Sequence, residues 1–62
     1  MRYNVGDLVL IILDNIERIG LVIDERSVFD VTKTIYDYKL LICGVEIPQW
    51  VFSEEIQRKY DV

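Results

Sequence analysis

Trp50-Val51-Phe52-Ser53-Glu54-Glu55-Ile56 ends a train of short apolar segments, and the train with its closing turn decides the fold. Working back from it, the segments are Val45 to Phe52, Tyr36 to Cys43, Ile19 to Asp24 and Leu8 to Leu13. Each is short, rich in β-branched or aromatic residues, and bounded by glycine or polar clusters, which is how strands read. Ser53-Glu54-Glu55-Ile56 predicts a single helical turn with Ser53 as N-cap and the acids near its positive end. Gln57 to Tyr60 reads as a brief fifth strand. With no segment long enough for a further helix, the chain is expected to be all-β: a five-stranded small barrel with one short helical turn before the last strand.

The strands differ in how they divide their faces. Leu8 to Leu13 shows no alternation, so this strand is apolar on both sides and has to be covered on both. In the second, Ile19, Leu21 and Ile23 share one face while Gly20, Val22 and Asp24 share the other, with Val22 counted among the outer residues. Gly20 marks a bend, a bulge or the close approach of another backbone. Glu25 to Ile35 is the least regular stretch: Ser27 to Thr32 reads either as an extension of the second strand or as a distal loop, and its Val28, Phe29 and Val31 are unusually apolar for a loop tip. Tyr36, Tyr38, Leu40 and Ile42 point one way in the third strand; Asp37, Lys39, Leu41 and Cys43 point the other. Gly44 predicts a tight hairpin into the fourth strand, where Pro48 belongs at an edge or bulge. Trp50 and Phe52 oppose Val51 and Ile47, and one of these sets is left outside the first core.

Sixty-two residues make one domain, spanning 1–62, with a thin core. Cys43 is the only cysteine and there is no histidine, which excludes an internal disulfide and a cysteine/histidine zinc site. Cys43 reads as a buried small hydrophobe. A hard-cation site on Asp24, Glu25 and Asp30 lacks the spacing of a calcium loop. The N-terminus has no signal-peptide pattern and the longest apolar run is far short of a membrane span, so a cytoplasmic setting is expected. Without histidine, a nucleophile triad or a glycine-rich phosphate loop, the chain is not expected to be an enzyme or to carry a cofactor or metal. Glu54-Glu55 reads as helix-turn chemistry. The net charge of −4, with scattered basic residues, argues against a nucleic-acid partner.

Four pieces together form a recognisable pattern: Gly6-Asp7-Leu8-Val9, Gly20-Leu21-Val22, Tyr38-Lys39-Leu40-Leu41-Ile42 and Trp50-Val51-Phe52-Ser53-Glu54-Glu55-Ile56. From Val5 to Ile56 the chain resembles SH3-like small barrels, in particular small acidic proteins of tailed bacteriophages. That resemblance implies a five-stranded SH3-like barrel and a virion or accessory protein, in the host cytoplasm or the virion. Ile35-Tyr36-Asp37-Tyr38 resembles the signature of eukaryotic signalling SH3 domains, but it stands in the third strand. The remaining groove aromatics of that family are missing, so proline-rich peptide binding is not implied.

The function expected is therefore a structural or protein-interaction module that oligomerises or docks on a larger assembly. Its basis is surplus apolar surface, which marks interaction sites, together with Trp and Tyr, the residue types of interface hot spots. Trp50, Phe52, Tyr36, Tyr38, Phe29 and Leu41 are the candidate partner-binding residues, with capping of the barrel end as the other use of Trp50. One alternative is a nucleic-acid- or ribosome-associated module using Tyr3, Tyr36, Tyr38, Arg18, Arg26 and Lys33. The other is an acidic inhibitor or accessory subunit presenting Asp24, Glu25, Asp30, Asp37, Glu54 and Glu55 to a basic partner.

Overall fold

The first strand, β1 (Leu8–Leu13), turns back on β2 (Ile16–Phe29) through Asp14 and Asn15, at φ of 52° and 64°. Asp and Asn tolerate this left-handed region, and two such residues in a row give a tight hairpin the right twist. After β2 come β3 (Thr34–Ile42), β4 (Gln49–Phe52), a 3-10 turn (Ser53–Glu55) and β5 (Ile56–Lys59). The computed structural model describes residues 2–29 and 32–61, with the side chains of Val28 and Phe29 outside that description.

All five strands join one antiparallel sheet in the order β4-β3-β2-β1-β5. The sheet is open, since its edge strands β4 and β5 do not pair with each other. It is nevertheless curled. Val51 of β4 and Ile56 of β5 belong to one buried cluster with Tyr3, Val9, Ile11, Val22, Tyr38, Leu40 and Ile42. A flat sheet would hold its two edges far apart; here the short 3-10 turn spans them.

Two bulges do the bending. In β2 the register runs Val22 opposite Leu40 and then Asp24 opposite Lys39, so Ile23 is the extra residue. Between β1 and β5, Leu10 lies opposite Arg58 and Ile11 opposite Ile56, leaving Gln57 extra. A bulge bends its strand and reverses the alternation beyond it. The second thus turns Ile56 inward beside Ile11. Gly20 causes no bulge. Leu40 and Ile42 lie 3.4 to 3.7 Å from where its Cβ would be, so its small size admits those core side chains.

Tyr38 is the centre of the core, with 0% exposure. Its hydroxyl oxygen accepts the Tyr3 N–H at 3.0 Å, and the two rings meet edge to face with centroids 5.5 Å apart. This ties the entry segment over the open side of the sheet. Burial, and secondarily Tyr38, raises the Tyr3 hydroxyl pKa above its ordinary value.

Several expectations need correction. Of the two readings of the stretch after Asp24, extension of the second strand holds as far as Phe29, and β3 begins at Thr34 rather than Tyr36. Val31 and Asp30 lie outside the described residues. Val22 faces the core; the outer residues of β2 before the bulge are Ile19, Leu21 and Ile23. No tight hairpin joins β3 to β4, because β4 starts only at Gln49. Pro48 immediately precedes it, so the missing N–H falls outside the ladder. Ile47, placed in the fourth strand by the sequence, is an exposed residue of this link. Cys43 is exposed. Ser53 makes no capping hydrogen bond; Glu55 Oε2 instead accepts the Phe52 N–H at 2.7 Å.

Gly44, at φ 84°, turns the chain out of β3, where the Arg18 guanidinium donates to the Cys43 carbonyl at 3.0 Å. A Cβ on Gly44 would collide with Arg18 Nη1. Gly44→Ala is therefore expected to cost about 1–2 kcal/mol, combining left-handed strain with that clash, read as a lower urea midpoint at unchanged slope. Tyr38→Phe keeps the ring but leaves the buried Tyr3 N–H unpaired. It is expected to cost about 1–3 kcal/mol in the same assay, with faster exchange of the Tyr3 amide.

Candidate interaction surface

The sheet has two faces, and the one away from the core is also largely apolar. Cross-strand partners in an antiparallel sheet share a face. One outer row is Leu8, Leu21 and Leu41; the next toward the hairpin is Leu10 and Ile19, with Ile12 beyond it on β1. On the other side come Lys39 with Trp50, then Arg26, Asp37 and Phe52. Leu10 is buried yet lies outside the core cluster, so the outer face already packs on itself. Ile12, Ile19, Ile23, Leu41, Trp50 and Phe52 remain open there, with Leu41 at 45%, Trp50 at 38% and Phe52 at 53% exposure.

The bulge at Ile23 positions the polar part of this face. Before it, Gly20 and Val22 point inward; after it, Glu25 and Ser27 take the inner side, opposite Tyr38 and Tyr36. Arg26 is thereby moved to the outer face. Its Nε donates to Asp37 Oδ2 at 3.1 Å, and its Cζ lies 4.2 Å from the centre of the Trp50 ring. Lys39 Nζ stands 6.0 Å from the same ring. Asp37, 6% exposed, is the buried acid beneath this stack, and its Oδ1 has no hydrogen-bond partner among the described residues. The stack holds Trp50 in one orientation with a cation on it, a contact worth about 0.5–1 kcal/mol at a site this open.

The six candidates divide. Trp50, Phe52 and Leu41 all lie open on the outer face. Tyr38 does not belong with them, because it is fully buried on the inner side. Tyr36 is also on the inner side, packed against the core under Arg2, whose Cζ is 4.9 Å from the ring centre. Phe29 lies in β2, and its side chain is outside the described residues. Sequence reasoning missed Ile12, Ile19 and Ile23 as open residues and Arg26 as the partner of Trp50. The first three were visible in the alternation of β2 and the two-sided character of β1. Arg26 was hidden by the bulge.

The residues of the alternative readings are dispersed. Tyr3 and Tyr38 are buried and offer no ring for base stacking, while Arg18 is engaged at the Cys43 carbonyl. Among the acids, Asp37 is buried, Glu25 pairs with Arg2 at 3.4 Å and Glu55 caps the 3-10 turn. Among the described residues, no three acidic or cysteine side chains converge as metal ligands. There is likewise no helix long and apolar enough to cross a membrane. Two surface depressions among the described residues are small: about 220 Å³ beside Arg2, Glu25 and Tyr36, and about 260 Å³ beside Ile16, Ile19 and Cys43. Comparison with protein-family models, curated proteins and solved structures gives no match to this chain.

Removing Arg26 strips a buried carboxylate of the one ion pair it makes among the described residues. Arg26→Ala is expected to cost about 1–2 kcal/mol by urea unfolding, a value discounted because the arginine is half exposed. Lys39→Ala, farther from the ring, is expected to stay within about 0.5 kcal/mol. Tryptophan fluorescence should change more in the first variant than in the second.

Proposed function

We propose that this chain is a non-enzymatic protein-interaction module of the SH3-like small-barrel kind, which works by docking its outer sheet face on a protein surface. One observation carries the reading: Ile12, Ile19, Ile23, Leu41, Trp50 and Phe52 all stand open on the outer face of the sheet. Exposed apolar area of this extent marks interaction sites, and Trp and Arg are the side chains that dominate their energetics. The SH3-like assignment is supported by the strand order β4-β3-β2-β1-β5, the 3-10 turn before β5, and the core shared by both edge strands. A small structural or accessory protein of a tailed bacteriophage is the specific form of this proposal, and it rests on the sequence pattern.

Site-specific photocrosslinking in the cells that produce the chain tests the module. A benzophenone amino acid at position 52 is expected to give an adduct of defined mass, while the same group at position 57 gives none. No adduct from position 52, or equal adducts from both, overturns the reading.

A further inference from the structure

We infer that the surface covering the outer face is the same face of a second copy, packed sheet on sheet. This rests on the interaction-module reading and names its partner. The area is of the right size. The fractional exposures of Ile12, Ile19, Ile23, Leu41, Trp50 and Phe52 leave roughly 500 Å² of apolar side chain open, near the upper end for a monomer. That is a little below the roughly 600 Å² per partner at which specific interfaces begin, the size of a small, reversible dimer contact.

The charge distribution selects a copy over an oppositely charged partner. In an isologous pairing each side meets its own pattern, so any net charge on the face would be opposed by itself. Here the charges on the face are balanced internally. Arg26 pairs with Asp37, Lys39 lies directly opposite Asp24 in the adjacent strand, and Glu17 opposite Ile12 and Arg58 opposite Leu10 add one charge of each sign. Surplus acids sit in turns and links instead: Asp14 between β1 and β2, Glu46 between β3 and β4, and Glu54 in the 3-10 turn. The chain therefore repels its copies around the rim while its face carries no repulsion. That arrangement favours a closed pair, in which the apolar rows interdigitate as in a two-sheet sandwich, over open-ended association.

Sedimentation equilibrium of the reduced full chain, from micromolar to millimolar, reads the outcome. The weight-average mass is expected to rise from the 7.4 kDa of one chain toward twice that value. Leu41→Glu is expected to raise the dissociation constant at least tenfold. Ile47→Glu, equally apolar but in the β3–β4 link, should leave it unchanged. Dilution of the wild-type chain, followed by amide NMR, needs no variant: Ile19, Leu21, Leu41 and Trp50 should shift and Gln57 should not. A chain that stays monomeric at millimolar concentration overturns the second-copy inference. The module reading then stands or falls separately, on whether the position-52 adduct contains a different protein. A dimer indifferent to Leu41→Glu, or dilution shifts outside the outer face, also overturns it.

Discussion

The single extra residue at Ile23 is the constraint on which most of this molecule depends. β2 is long enough to pair with β1 at one end and β3 along most of its length. A straight strand of that length would carry its core residues away from each other. The bulge bends it, so that Val22 and Tyr38 enter the same cluster as Val51 and Ile56 from opposite edges. It also exchanges the faces of everything beyond it. Arg26 is turned out to Trp50, and Glu25 and Ser27 are turned in.

The consequence is a sheet with two apolar faces and one core. The inner face is closed by curvature, by Tyr3 and by the 3-10 turn. The outer face has no element of the chain to cover it among the described residues. Leu10 is covered there by its own neighbours, but the rows that contain Leu41, Ile19 and Trp50 stay open. The Asp37–Arg26–Trp50 stack meanwhile holds the largest open side chain of that face in place.

Much of the fold was legible because alternation is a local property. Tyr38, Leu40 and Ile42 on one side of β3, and Val51 against Trp50 and Phe52, fall where period-two reading places them, whereas β1, apolar on both faces, left open that Val9 and Ile11 form its inner side. The helical turn before the last strand also falls where the sequence reading puts it. Reading failed where pairing overrides periodicity. Val22 was assigned outward because Asp24 seemed to share its face, but the bulge lies between them. Cys43 was assigned to the interior as a typical small hydrophobe, but it falls past the end of β3. Tyr36 and Tyr38 look like interface residues by type, yet they line the inner face.

The sequence by itself determined an all-β chain of five short strands, one short helical turn and an apolar surplus, because these depend on residue type and spacing along the chain. It also carried Trp50 and Phe52 to the side opposite Val51. Tertiary structure decided which strand faces form the core, that the sheet stays open at its edges, and that Arg26 rather than a tyrosine stands beside Trp50. Those outcomes depend on the register between strands. One unpaired residue at position 23 changes that register for half of β2 without leaving a mark in the local pattern.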